Sequence, residues 1–167
     1  LTTYNSLNIR IFVPKATSLI NSTSLAGESG MFQRDFGRTG YVPVKEWRPG
    51  LEVLWKFETS APFLSSPAVV GATLYSATGD NGVVALNANT GDLLWQFPTT
   101  GPIDSSPAVA GDLLFVGLRD ARMLAIDRHT GKLLWEFATG ASVSSSPVVR
   151  DGFLYFGSGD GKVYALD

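Results

Sequence analysis

The chain has no cysteine, which excludes a disulfide framework and any metal site built on thiolates. It also has almost no net charge: 13 Lys and Arg stand against 15 Asp and Glu, giving −2. No basic excess is available to track a phosphate backbone, so nucleic acid is not an expected partner. Long apolar runs are missing too. No stretch reaches the roughly 18 consecutive apolar residues of a membrane span. In residues 1–30, Asn, Ser and Thr interrupt every apolar run before a secretory h-region can form. The chain opens on Leu1 and stops at Asp167 inside a repeat; it reads as a piece of a longer protein, with any signal peptide upstream. Helical periodicity is absent as well, because Gly or Pro recurs every 8–10 residues of the repeat region. No Gly-rich phosphate loop opens a helix, and no nucleophile elbow is present.

What the chain does have is a period. From Leu51 to Asp167 the sequence repeats every 40 residues without a gap. Trp55, Trp95 and Trp135 are evenly spaced, and so are the Ser-Ser-Pro triplets that begin at Ser65, Ser105 and Ser145. Asp80, Asp120 and Asp160 keep the same interval. Such self-similarity marks a repeat architecture, in which each unit buries its apolar face only by stacking on a neighbour.

The second copy reads as four short strands. Ser106–Ala110 is small and β-branched, and Gly111-Asp112 is a two-residue hairpin signal. Leu113–Gly117 is a nearly continuous apolar run, as expected of a strand covered on both faces. Met123–Asp127 is the third strand and Leu133–Phe137 the fourth, with turns at Arg119–Arg122 and His129–Lys132. Four antiparallel strands in about 40 residues describe one blade of a β-propeller. The fold class is therefore all-β. Small residues at the head of each copy suit a crowded inner strand near an axis, and Trp and Phe suit the wider outer rim.

The unit runs Ser-Ser-Pro-Ala-Val, then Leu-Tyr/Phe, then Ala-x-Asp/Asn-x-x-Thr-Gly-x-x-x-Trp, and this last element stands at Ala85–Trp95 and again at Ala125–Trp135. It resembles the repeat of the PQQ-type β-propellers, the quinoprotein superfamily. WD-type repeats have a similar period, but Trp is followed here by Lys56, Gln96 and Glu136, not Asp; kelch repeats are longer. The resemblance implies that Trp55, Trp95 and Trp135 dock against neighbouring blades; Gly91 and Gly131 belong to the same blade-docking element, in the turn before a tryptophan strand. Met31–Tyr41 is similar to the entry segment before the first blade of many such propellers. It places the domain at 30–167, after an N-terminal segment at 1–29. The domain would hold a closing strand at about 51–59, blades at 65–98 and 105–138, and an incomplete blade at 145–167. Leu51–Thr59 of a second chain could fill the missing outer strand, a homodimer that closes the ring; a truncated arc with exposed edges is the alternative.

Candidate chemistry is sparse. A quinoprotein dehydrogenase needs a carboxylate base and a Ca²⁺ held by oxygen ligands beside the quinone. Asp80, Asp120 and Asp160 recur once per blade, so they point in equivalent directions from different blades and read as turn residues. Asp104 breaks the repeat, with Leu64 and Ser144 at its place; it is either a loop carboxylate or a contact residue. Arg119 and Arg122 replace glycines of the first copy and make the middle loop basic, which suits a solvated turn or a contact to an anion or a partner. His129 takes the place of Asn89 in a turn. Asn21-Ser22-Thr23 is a weak glycosylation sequon.

Two functions follow as expectations. The first is a non-catalytic, cofactor-free propeller that binds a protein partner or ligand through loops on one face. Those loops are the turns at 79–82, 119–122 and 159–162, or the ones at 60–64, 100–104 and 140–144. The second is a fragment of a PQQ-dependent alcohol or sugar dehydrogenase, using PQQ with Ca²⁺, whose catalytic blades lie elsewhere; the adjacent cysteine pair of several such enzymes is absent. A consensus-like repeat design fits the ungapped period but not the divergent first 50 residues. Family habit implies a location in the periplasm, the cell envelope or outside the cell.

Overall fold

The computed structural model describes residues 52–79 and 82–167. The sequon, the entry segment, residues 1–29 and Asp80 lie outside them. Among the described residues, eleven strands form three antiparallel sheets. The first comprises β1 (Ala68–Val70), β2 (Thr73–Thr78), β3 (Gly82–Asn87) and β4 (Leu93–Phe97). β5 (Ala108–Ala110), β6 (Leu113–Gly117), β7 (Arg122–Asp127) and β8 (Leu133–Ala138) form the second. The third has three strands, β9 (Val148–Arg150), β10 (Phe153–Gly157) and β11 (Val163–Leu166). Strand order in every sheet follows the chain, the up-and-down path of a propeller blade.

The register explains the recurring residues. Ala68, Tyr75, Ala85 and Trp95 lie side by side across the first blade, as Ala108, Phe115, Ala125 and Trp135 do across the second. Alanine in the third strand leaves room for the flanking rings to meet above it. Their centroids are 6.0 Å apart for Tyr75 and Trp95 and 5.8 Å apart for Phe115 and Trp135, inside the range where aromatic pairs attract. A register shift after Ala85 and again after Ala125 makes Leu94 and Leu134 extra residues in their strands.

The blades stack face to face. Tyr75, Ala77, Val83 and Ala85 share one buried cluster with Leu114, Val116, Leu124 and Ile126 of the next blade. Phe115, Met123 and Ala125 repeat the arrangement against Leu154 and Phe156. The first strands thus turn Ala68 and Ala110 toward the following blade and Val109 toward the preceding one. Along β2, β3, β6 and β7 the parity is opposite, with odd-numbered positions facing the following blade and even-numbered ones the other side. That is why β6 reads as a continuous apolar run: both of its faces are covered. Burying such side chains contributes roughly 1.5–3 kcal/mol each, and the loss of backbone freedom offsets most of it.

Near the axis the Ser-Ser-Pro triplets have two separate duties. The first serine clamps its own blade: Ser105 Oγ accepts from Gly117 N at 2.7 Å and donates to Gly117 O at 3.0 Å. Ser65 with Ala77 and Ser145 with Gly157 do the same. The second serine links blades. Ser66 N donates to Ser106 Oγ at 3.0 Å, and Ser106 N to Ser146 Oγ at 3.1 Å.

Residues 52–59 carry no strand pairing among the described residues. Trp55, Phe57 and Thr59 are half-buried while Lys56 and Glu58 are exposed, the two-residue alternation of extended chain. Trp55 and Phe57 pack on Leu74, Val84, Leu86 and Ala88 of the first blade.

Candidate functional site

The loops that join one blade to the next and the β2–β3, β6–β7 and β10–β11 turns lie at the same end of the sheets. Backbone bonds tie the two sets together: Gly79 N to Pro62 O, Arg119 N to Pro102 O, and Gly159 N to Ser142 O. The two sets of candidate loops are therefore one face. The opposite end carries the remaining turns, tied in the same way by Ala88 N to Ala72 O and Arg128 N to Asp112 O.

On the loop face the repeating acids hold loops in place. Asp120 accepts from Thr100 Oγ1 at 3.1 Å and from Arg122, whose guanidinium also reaches Glu136 at 2.8 Å and Thr100 at 2.7 Å. The bond from Arg122 is the chief reason the Asp120 carboxyl titrates below its ordinary range, and Asp120 in turn raises Arg122. Asp160 accepts from Tyr164 Oη at 2.6 Å, from Gly140 N at 3.1 Å and from Lys162 Nζ at 3.4 Å. The Tyr164 hydroxyl is the main cause of a carboxyl held well below the usual range, and the same bond raises the phenol. The Asp160 charge raises Lys162.

Arg122 is thus enclosed by acids, and the basic character expected of this loop is cancelled. Arg119 bonds through Nε to Asp104. Two of the residues that break the repeat on this face are each other's partners. Arg119 remains 54% exposed at its side chain and Asp104 22%. Asp104 Oδ2 takes the bond, while Oδ1 is buried without a partner. Among the described residues no group of three or more His, Asp and Glu is arranged to hold a metal ion.

Trp55 and Trp95 lie away from this face, each against the blade that follows it. Trp55 Nε1 donates to Ala88 O at 3.1 Å, and Trp95 Nε1 to Arg128 O at 2.9 Å. A Cβ on Gly91 would stand 2.7 Å from the Trp55 ring, and one on Gly131 2.7 Å from the Trp95 ring. Both glycines also have positive φ, +80° and +72°. Asn87 and Asp127 shape these turns: each side-chain oxygen accepts from the backbone two and three residues on. Trp135 meets no such turn among the described residues and is 36% exposed. His129 sits at the opposite end, 3.0 Å from Asp112.

A family model described as outer membrane protein assembly factor BamB matches residues 49–167, which covers all three blades. The chain belongs to that family. No curated protein matches it significantly. Among solved structures it is similar to BamB from Moraxella catarrhalis, with a TM-score of 0.63 and 23% identity over 70% of this chain and 40% of that one. The quinohemoprotein alcohol dehydrogenase ADHIIG from Pseudomonas putida HK5 superposes with a TM-score of 0.67 and 24% identity, over 83% of this chain and 25% of that one. A computationally designed protein, Ika4, matches at a TM-score of 0.55 and 20% identity, over 60% of this chain and 62% of its own. The chain spans less than two thirds of each of these proteins. At such identities they establish the PQQ-like propeller fold.

Proposed function

We propose that this BamB-family propeller segment is a non-catalytic scaffold, acting outside the cytoplasm, whose loop face binds a protein partner or ligand. One observation carries the reading: the acids described on that face are already engaged. Asp120 and Asp160 fasten loops and are held ionised by their donors, and Asp104 is paired with Arg119. A general base needs a carboxylate free to take a proton near neutral pH, and carboxyls depressed by hydrogen bonds are poor ones. Contact chemistry on this face centres on Arg119 and Asp104, which stand on rigid blades, with Arg122 behind them as a brace. The extracytoplasmic placement rests on the family description.

The likeness to a quinohemoprotein alcohol dehydrogenase favours a second reading, a segment of a PQQ-dependent enzyme. In that case Asp104 Oδ1, an acceptor without a donor, is the atom to watch. Calorimetric titration of the folded chain with pyrroloquinoline quinone and Ca²⁺ separates the two. The scaffold reading expects no saturable heat. Micromolar or tighter binding that disappears in Asp104→Ala would overturn it in favour of the enzyme.

A further inference from the structure

A second cluster departs from the repeat at the opposite end of the blades. Where the first copy has Ala72, Ala88 and Asn89, the second has Asp112, Arg128 and His129. The corner lies between the first and second blades, both described along all four strands. Its backbone needs none of these three side chains. Ala88 N bonds to Ala72 O as Arg128 N does to Asp112 O, and Trp55 Nε1 donates to Ala88 O as Trp95 Nε1 does to Arg128 O. The three side chains nevertheless converge. His129 Nε2 lies 3.0 Å from Asp112 Oδ1, and Arg128 Nε lies 4.0 Å from the same oxygen, beyond hydrogen-bond reach. Arg128 Nε is buried without a partner.

Stability does not account for the cluster. Asp112 and His129 are 78% and 57% exposed at their side chains, and a pair so exposed adds little. A buried N–H without an acceptor is a cost, and the Arg128 side chain is only 21% exposed. Alanine at that place, as in the first copy, carries no such cost. We propose that this corner is a recognition site for the carboxylate end of a peptide, separate from the loop face. Arg128 supplies the charge. Its Nε is sealed, so a ligand arriving from solvent meets Nη1 and Nη2, whose paired N–H groups match the two oxygens of a carboxylate. Asp112 supplies the selectivity. It faces His129 through Oδ1, which leaves Oδ2 to accept from the last peptide N–H beside the bound carboxylate. An acid next to the arginine also keeps the local charge low and repels a phosphate dianion. A monoanion with an adjacent donor is the complementary ligand.

The corner carries its own reporter, because the Trp95 indole N–H donates to Arg128 O at 2.9 Å. In nitrogen-edited NMR spectra of the full protein, N-acetylglycine should shift that resonance, assigned by its loss in Trp95→Phe, and saturate at about 1–10 mM. N-acetylglycinamide, which lacks the carboxylate, should leave it in place. Acetate, which lacks the N–H, and inorganic phosphate should each bind at least about tenfold more weakly. Asp112→Ala with Arg128→Ala and His129→Asn restores the first copy's side chains on a backbone that already accepts them. This triple variant should keep the fold, read by an unchanged circular dichroism spectrum, and lose the response. No saturable shift in the unaltered protein, an equal response to the amide, to acetate or to phosphate, or a response that survives the triple substitution would overturn the proposal. None of these results bears on Asp104 and Arg119 at the other end of the blades.

Discussion

Gly131→Ala and Gly111→Ala are the same chemical change at two left-handed turns of one blade, and they should differ in outcome. Gly111 has φ +56°, and a methyl group added there would meet nothing within 4 Å. Its substitution carries only the backbone penalty, roughly 1–2 kcal/mol for an L-residue in that region, partly offset because alanine narrows the unfolded chain. A net loss of about 1 kcal/mol is expected. Gly131 has φ +72°, and its new methyl would fall 2.7 Å from Trp95 Cε3. The ring must move by more than half an ångström to reach ordinary contact. That breaks the bond from Trp95 Nε1 to Arg128 O, worth about 1 kcal/mol, and loosens the packing of the ring on the next blade. The total should be about 3 kcal/mol, so the two variants should differ by about 2 kcal/mol. Urea unfolding followed by tryptophan fluorescence reads the difference directly. Equal midpoints would refute the argument that the tryptophan–glycine contact, and not the turn alone, joins the blades. Gly91→Ala against Gly71→Ala repeats the comparison at the Trp55 junction.

Ser105→Ala should cost about 1–3 kcal/mol in chemical unfolding, because it strands the buried N–H and C=O of Gly117. Ser145→Ala removes the same bonds at an exposed site and should cost markedly less. The carboxyls of Asp120 and Asp160 lie lower in the folded chain than in the unfolded one. Their contribution is therefore complete above the unfolded carboxylate range, about pH 4, and is lost as pH falls through the folded values. The thermal midpoint should drop on acidification from pH 5 to 3, and Asp120→Asn with Asp160→Asn should flatten that drop; an unchanged slope would contradict it. Returning the loop pair to its repeat form, Asp104→Ser with Arg119→Gly, should leave the unfolding midpoint within about 1 kcal/mol. The same double variant should lose partners that co-purify with the full protein, and an unchanged set would remove the pair from the binding surface.

The blades are legible in the sequence because their contacts repeat at short, fixed separations. Tyr75, Ala85 and Trp95 are ten residues apart and adjacent in the sheet, so the period and the rows carry the same information. The direction each residue faces is not legible. Val83 and Val84 both lie in the core, one toward the next blade and one toward Trp55 and Phe57, and two covered faces erase the alternation that would reveal it. The loop face is legible only as two alternatives, because backbone bonds such as Arg119 N to Pro102 O join segments whose side chains give no sign of the contact. Tyr164 escapes sequence reasoning for a similar reason. It stands where Val84 and Leu124 are core residues, yet its hydroxyl reaches Asp160.

The departures from the repeat separate what the fold needs from what the protein adds to it. The first and third copies place Leu64 with Gly79, and Ser144 with Gly159, where the second has Asp104 with Arg119. All three copies nevertheless make the same backbone bond between those loops, so the architecture holds without either charge. An ion pair this exposed contributes at most about 1 kcal/mol, too little to maintain two coordinated departures on stability alone. Ser76 is a different kind of departure. It stands where Val116 and Phe156 are buried and its Oγ has no partner, and nothing in the structure explains it. Arg122 departs as well, but Asp120, Thr100 and Glu136 absorb its donors, which makes it a brace. Asp104 and Arg119 are left: paired, partly exposed, on a rigid blade, and unnecessary to the fold. Binding residues are expected in such positions, because a scaffold that repeats for stability is free to vary only where the repeat is not holding anything together.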